Sequence, residues 1–336
     1  MTLSDLDRLP SFALLGPGFG GDGWRLLDPL EPCGAAAARL AFAPFEAAGD
    51  RPFLFGAGRE SVLSGAPDGD PWEGTPRLDP AGYREAVEVI RESIRAGDVY
   101  QVNLTVRAAL PGATGPTILA ALCRRWVPRF AAWVRLPDGT EFVSGSPERL
   151  FVTGGGRVFC EPMKGTAPAG EGDWLLASAK DRAELAMITD LVRNDLTPVC
   201  RPGTVEVPCA RRLLDLPYAV QSVSDVVGDL LPGLSPLDVL AALHPGGSVV
   251  GAPKGAALQA IRRLEAVPRG PYCGALGVLE GDHADFALLI RTAVRGADGW
   301  WYGVGGGIVH DSDPAAEWEE VRVKAGALAC GTPRSS

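Results

Sequence analysis

Three features of the 336-residue sequence predict an α+β fold. Strand-like segments come in runs rather than in strict alternation with helices. A few segments carry apolar residues at helical spacing. Glycine (43 residues) and proline (29) punctuate the remainder with tight turns.

Residues 1–80 read as short apolar strands broken by Gly and Pro, a β-rich segment packing on a larger domain over 81–332. The polar stretch 64–80 has the composition of a linker or long surface loop. Val87, Ile90 and Ile94 lie at helical spacing, which predicts an amphipathic helix over 83–96 that stops at Gly97. The alternating, β-branched run 99–110 is a strand. A helix follows Pro116, then strands near 130–136, 141–152 and 157–164. One long helix is expected over 173–194, with Leu185, Ile188, Leu191 and Val192 on one stripe. Two strands flank a turn at Pro217, and a short helix spans 236–243. A Gly-rich turn, 244–255, leads into a further helix. Strand-like runs at 272–281, 284–296 and 300–309 precede an acidic helix from Pro314.

Lys plus Arg total 32 against 41 for Asp plus Glu, a net charge of -9, which argues against a nucleic-acid-coating surface. The seven cysteines form no CxxC pair, so neither a disulfide framework nor a thiolate zinc site is expected. The first residues lack the basic and apolar regions of a signal peptide, and no apolar run is long enough to span a membrane. A cytoplasmic location is the expectation.

Several residues could carry chemistry. Asp181 and Glu184 share one face of the long helix, and Glu317 and Glu320 share a face of the last, with Lys324 one turn on. If the helices face each other, four carboxylates converge, and oxygen-only ligands favour Mg²⁺. Spacing alone fits two solvated helix faces better. Lys164, between an apolar strand and a Gly turn, is a candidate desolvated nucleophile, with Glu161 as its acid/base partner; the alternative is an exposed loop lysine. GVGGGIV (303–309) offers unobstructed backbone N–H groups for a carboxylate, or simply a tight turn. Arg291 lies in an apolar run, where a guanidinium needs an anion. From these residues alone the chain reads as an α+β enzyme, with Mg²⁺ as its candidate metal, for a carboxylate-bearing ligand.

The segments RAGDVYQVNLTVR, SGSPERLF, CEPMKGTAPAG, DRAELAMITDLVRNDL, HPGGSVVGAPKGAALQAI, RGPYCGALGVLEG, DFALLIRTAV and GVGGGIVHDSDPAAEWEEVRVKA follow one another over about residues 80–330. Together they resemble the chorismate-utilising enzymes, most closely the aminodeoxychorismate synthase component I subfamily, with anthranilate synthase component I next. The resemblance implies a large sandwich of two antiparallel-rich sheets with flanking helices. It implies Mg²⁺ between the substrate ring carboxylate and Glu184 and Glu320, with Asp181 and Glu317 behind them. Arg291, Tyr272 and the backbone of Gly305, Gly306 and Gly307 match positions that hold the enolpyruvyl carboxylate. Lys324 matches a lysine near the ring carboxylate, and Thr166 and Gln221 fall among the substrate-binding positions. Gln221 stands where many members have His, and Val250 where Thr is usual. Gln101 replaces the lysine of members that add water at C2, so isochorismate and salicylate synthesis are not expected. Lys164 matches the lysine of a PIKGT-type motif, where anthranilate synthases carry Ala.

The resemblance thus implies conversion of chorismate and ammonia to 4-amino-4-deoxychorismate, through a covalent intermediate on Lys164, towards 4-aminobenzoate and folate. Glu161 would protonate the departing C4 hydroxyl. The chain shows no Cys/His/Glu amidotransferase constellation, so ammonia is expected from a glutamine amidotransferase subunit. The alternatives are anthranilate synthase component I and a non-catalytic chorismate-binding subunit.

Overall fold

The computed structural model describes residues 2–19, 23–47, 52–63, 69–80, 82–217 and 219–330. The chain opens with α1 (Leu3–Leu6), β1 (Phe12–Leu15), β2 (Trp24–Pro32), β3 (Leu40–Ala43) and β4 (Phe53–Leu63). There follow α2 (Tyr83–Arg95), β5 (Gln101–Leu110), α3 (Gly115–Cys123), β6 (Phe130–Arg135), β7 (Glu141–Ser146), β8 (Arg149–Gly154), β9 (Arg157–Cys160) and β10 (Met163–Pro168). Next come α4 (Gly172–Ala177), α5 (Ala179–Leu196), β11 (Glu206–Leu216), β12 (Ala219–Asp229), α6 (Pro236–Leu243), β13 (Gly251–Ala252) and α7 (Lys254–Leu264). The chain closes with β14 (Ala275–Glu280), β15 (His283–Leu288), β16 (Thr292–Gly296), β17 (Gly299–Ile308) and α8 (Pro314–Cys330).

Every ladder between described strands is antiparallel. They join in the order β13-β5-β17-β16-β7-β6-β1-β2-β4-β3-β14-β15-β8-β9-β12-β11, with β10 continuing the line of β9 along β12. Phe142 of β7 stacks on Phe42 of β3 with ring centroids 5.2 Å apart. Five ladder steps separate those strands, about 24 Å in a flat sheet at about 4.8 Å per step. The run of strands therefore folds back on itself as a sandwich, as the resemblance implies. The N-terminal strands are woven into it: β1 lies between β2 and β6, and β3 pairs with β14. Of the stretch expected to be a linker, residues 69–80 are docked. Trp72 is buried and donates its indole N–H to the Pro111 carbonyl at 3.1 Å.

The helices follow the expected faces. Tyr83, Ala86, Val87 and Ile90 bury one stripe of α2. Thr114 and Ser235 cap α3 and α6, each in a reciprocal pair with the residue three positions on. Two expected elements are divided. The helix over 173–194 is α4 and α5, separated at Ser178, which is extended (ψ 113°) and caps α5 by accepting the Asp181 N–H. A serine hydroxyl competes for backbone donors, so a new helix starts there. The run 284–296 is β15 and β16, parted by Leu289–Arg291, with Arg291 at φ +50°. Six cysteines are free, and no described helix is long and apolar enough to cross a membrane.

His244 is buried, and its Nε2–H donates to the Pro44 carbonyl at 2.8 Å, leaving Nδ1 bare. Burial lowers this imidazole from 6.5 to about 4. The unfolded chain then binds a proton that the folded chain refuses, so this residue costs stability as pH falls from 6.5 to about 4, about 3 kcal/mol in all. Chemical denaturation of His244→Gln between pH 7 and 4 should lose less stability on acidification than the wild type by about that amount. Parallel curves for the two proteins would contradict this.

Candidate active site

The site hangs on the ladder between β5 and β17, in which Val102–Leu110 pair with Ile308–Trp300. The backbone N–H groups of Asn103 and Thr105 point away from β17, to the Val250 carbonyl and the Glu265 carboxylate. Their partners Gly307 and Gly305 are therefore in non-hydrogen-bonded pairs, and their N–H and C=O groups face the other edge of β17. Pairing with β16 stops at Tyr302, so that edge is open beyond it. Lys324 already uses it, donating to the Gly305 carbonyl at 3.0 Å. Gly306 faces the other way and spends its N–H on β5. Of the expected three-glycine cradle, Gly305 and Gly307 keep donors for a ligand and Gly306 does not. Gly306 instead leaves room: a Cβ there would stand 3.4 Å from Glu317 Oε2 and 3.8 Å from Glu320 Oε1.

The last acidic helix, α8, reaches this edge, and Lys180 of α5 acts on its Glu320. Glu320 is paired with Lys324 at 2.5 Å, Glu184 lies 3.9 Å from Lys180, and Glu317 accepts from Ser312 Oγ at 2.6 Å. Burial raises Glu317. Burial also pushes Glu320 up, but Lys324, with Lys180 and Lys164 further off, holds it below the usual carboxylate range. Asp181 packs beside the turn that follows Lys164, its Oδ1 2.8 Å from where a Cβ on Gly165 (φ +84°) would lie. Among the described residues no three His, Cys, Asp or Glu side chains converge as a complete ligand set. Mg²⁺ takes one or two carboxylates and leaves its remaining positions to water and ligand oxygens. Glu184 and Glu320 are oxygen donors of the kind it takes, and both act on the charge of Lys164.

Lys164 sits on β10 in the same neighbourhood. Burial pushes its ammonium below the ordinary lysine range, against the attraction of Glu184, Glu148 and Glu320, and Lys324 adds to the depression. The exposed-loop alternative does not hold. Glu161 is not the partner expected for it. Both Glu161 oxygens are engaged, by Arg129 Nη1 and by Arg212 Nη2 at 2.5 Å, and the residue is 3% exposed. Arg212 also grips Asp225 at 2.8–3.1 Å. A carboxylate fixed between two guanidiniums is a structural anion. Glu148, which the sequence reading did not single out, is a further candidate for an acid/base group. It is 6% exposed, accepts from Ser248 Oγ at 2.8 Å, and burial pushes it up to about 7, with Lys164 drawing it down and Glu161 raising it. A carboxylate at the turn SPERLF, between two apolar strands, is the signal that could have found it.

The remaining expected residues are near. Thr166 donates to Gln221 Oε1 at 2.9 Å across the β10–β12 ladder. Gln101 is 1% exposed, with Oε1 unpartnered in the structure and Nε2 in the space over Gly307. Tyr272 is buried with its ring flat against Gly303. Arg291 is half-buried at the β15–β16 break, its carbonyl accepting the Gly145 N–H at 3.0 Å. Behind them Arg269, 3% exposed, makes a two-point pair with Glu265 (2.6 and 2.8 Å) and donates to the Val249 and Asn103 carbonyls, both at 2.7 Å.

A family model described as chorismate binding enzyme matches residues 59–329. The chain is 39% identical to anthranilate synthase component 1 1 of Haloarcula marismortui over 73% of its length and 52% of the relative's. It is 41% identical to aminodeoxychorismate synthase of Streptomyces pristinaespiralis over 72% of its length and 35% of the relative's. The chain thus spans about half, or less, of the curated relatives it matches. Its fold is similar to anthranilate synthase component I from Streptococcus pneumoniae, with a TM-score of 0.74 at 25% identity over 87% of this chain and 80% of that one. It is also similar to MenF, the menaquinone-specific isochorismate synthase from Escherichia coli, with a TM-score of 0.80 at 19% identity over 96% and 88%.

A Cβ on residue 307 would stand 2.0 Å from Gln101 Nε2 and 3.2 Å from Asn103 Oδ1. Gly307→Ala should therefore displace Gln101 and destabilise the protein by about 1–3 kcal/mol in urea titrations. An unchanged midpoint would show that the slot accepts a methyl group.

Proposed function

The chain belongs to the chorismate-binding enzymes, and we propose that it acts as an aminodeoxychorismate synthase component I. The observation that carries this reading is Lys164: a half-buried amine whose surroundings hold it below its ordinary range, with Glu148 among the charges acting on it. Relatives of both names match at similar identity, so the choice between them rests on Lys164, where the resemblance gives anthranilate synthases Ala.

In this reading Arg291, Tyr272 and the N–H groups of Gly305 and Gly307 hold the enolpyruvyl carboxylate. Glu184 and Glu320 would hold Mg²⁺, which when bound supplies positive charge against the ring carboxylate. Lys324 would exchange its bond to Glu320 for that carboxylate. Neutral Lys164 attacks C2, both ring double bonds shift, and the C4 hydroxyl leaves as water with the proton of Glu148. Ammonia then attacks C4, both double bonds shift back and the Lys164 nitrogen departs as the free amine. Glu148 recovers a proton from the incoming nitrogen. The products are 4-amino-4-deoxychorismate and water. The ammonia would come from a glutamine amidotransferase subunit. The product would feed 4-aminobenzoate and folate formation in the cytoplasm.

Incubation with chorismate, ammonium and Mg²⁺ at pH 8.5 should yield 4-amino-4-deoxychorismate. Without ammonium, mass spectrometry should find an adduct on Lys164, and Lys164→Ala should lose both adduct and product. Anthranilate as the wild-type product would move the protein to the anthranilate synthase reading.

The acid role has its own signature. Glu148 must be protonated to release the hydroxyl, so kcat should fall as pH rises through about 7. Glu148→Gln should remove that limb and reduce kcat by about 10²–10⁴-fold. A limb that persists in the variant would assign it to another group.

A further inference from the structure

β16 ends its pairing with β17 where Ala293 stands opposite Tyr302. In that register a regular continuation would put Ile290 opposite Gly305 and Leu288 opposite Gly307, and would close the open edge of β17. The chain does not continue. It breaks at Leu289–Arg291, with Arg291 at φ +50°, a left-handed backbone that a residue with a side chain adopts only where its surroundings hold it. The break lies against a second one, the turn at Pro147 and Glu148 between β7 and β8.

Buried hydroxyls hold the break. Thr292 Oγ1 donates to the Ile290 carbonyl at 3.0 Å and stands 2.9 Å from Ser144 Oγ, which lies 3.5 Å from the same carbonyl. Ser146 Oγ donates to the Leu288 carbonyl at 2.5 Å. Backbone groups complete the set. The Gly145 N–H donates to the Arg291 carbonyl at 3.0 Å and the Leu288 N–H to the Glu148 carbonyl at 3.1 Å. The Leu289 N–H donates to the Gly274 carbonyl and its own carbonyl accepts the Cys273 N–H, both at 2.8 Å. Ser144, Ser146 and Thr292 are all fully buried, and a buried hydroxyl is costly unless it finds such partners. Ser144 and Thr292 face each other in the β7–β16 ladder. In an unbroken sheet backbone N–H groups would satisfy the Ile290 carbonyl, and apolar side chains would serve at both positions.

We propose that Thr292, with Ser144 behind it, is a positioning residue for the carboxylate subsite: its hydroxyl holds the Ile290 carbonyl so that the chain turns away from β17 at Arg291. The turn has two effects. It keeps the edge at Gly305 and Gly307 unpaired, and it sets Arg291 at the point where β16 and β17 part. This inference rests on Arg291 and the two glycine N–H groups holding the enolpyruvyl carboxylate in the proposed reaction. That carboxylate takes no part in the bond changes, so it is held alike before and during them. A misplaced subsite then costs affinity rather than turnover.

Thr292→Val keeps the shape of the side chain and removes the hydroxyl. It should raise the KM for chorismate about tenfold, with a much smaller change in kcat, and Thr292→Ser should return KM to within about threefold of the wild type. Chorismate affinity, measured by calorimetry in the Lys164→Ala background where no adduct can form, should follow KM. The route through Arg291 is tested by a double-mutant cycle in that background: Thr292→Val should weaken binding little further once Arg291 is replaced by alanine. A merely structural hydroxyl would lower stability or kcat without moving the affinity, or would add its loss in full to that of Arg291→Ala. Either result, or a wild-type KM in Thr292→Val, overturns the proposal and leaves the carboxylate reading standing. Chorismate binding unaffected by Arg291→Ala removes that reading and the proposal with it. If Thr292→Val does not fold, Ser144→Ala, which leaves Thr292 bonded to the carbonyl, carries the same cycle with the same expected signs.

Discussion

Lys164 is half-buried, and an amine so placed holds its proton less well unless carboxylates stand near it. Glu184, Glu148 and Glu320 supply that attraction and Lys324 limits it. Each carboxylate then needs its own restraint, because acidic groups this close repel one another. Lys324 answers Glu320, Lys180 answers Glu184, and Ser312 and Ser248 donate to Glu317 and Glu148. Each of these carboxylates thus has a lysine or a hydroxyl beside it.

Holding so many charges requires a frame that does not yield. Arg269 supplies part of it. Its guanidinium joins α7 to β5 and to the turn before β13 through Glu265, the Asn103 carbonyl and the Val249 carbonyl, and it covers the Phe45 ring at 4.3 Å. Glu265 in turn takes the Thr105 N–H and hydroxyl, both at 2.9 Å. By occupying those donors it leaves β17 free to present Gly305 and Gly307 at an open edge. A pair remote from the chemistry therefore decides which backbone groups the cleft receives.

Much of this was legible in the residues. The stripe of α2 and the alternation of β5 gave the right elements because burial there follows one period. Ser178 and Arg291 divided expected elements because each break is local: a side-chain cap in one case, a left-handed backbone in the other, neither visible as a change in hydrophobicity. Lys164 and the acidic helices were singled out by type and spacing, and the order of motifs over 80–330 tied them to one family. Glu161 was misassigned because closeness in sequence to Lys164 stood in for closeness of side chains. Three residues apart in an extended chain need not share a face, and two arginines remote in sequence claimed it. Glu148 was missed because its neighbours come from β10 and from the turn at Ser248, contacts that only the closed sandwich creates.

The partners in the β5–β17 ladder lie about 200 residues apart along the chain. Loop-closure entropy for so distant a pairing must be met before its contacts give anything back. Until β17 arrives, β5 has one unpaired edge, and Lys324 and the carboxylates of α8 have no glycine edge to face. The site is then among the last parts of the molecule to assemble, however early its helices form. During that interval the open strand is a surface on which a second chain could add, so the same pairing that creates the cleft also sets when newly made protein is most exposed to aggregation.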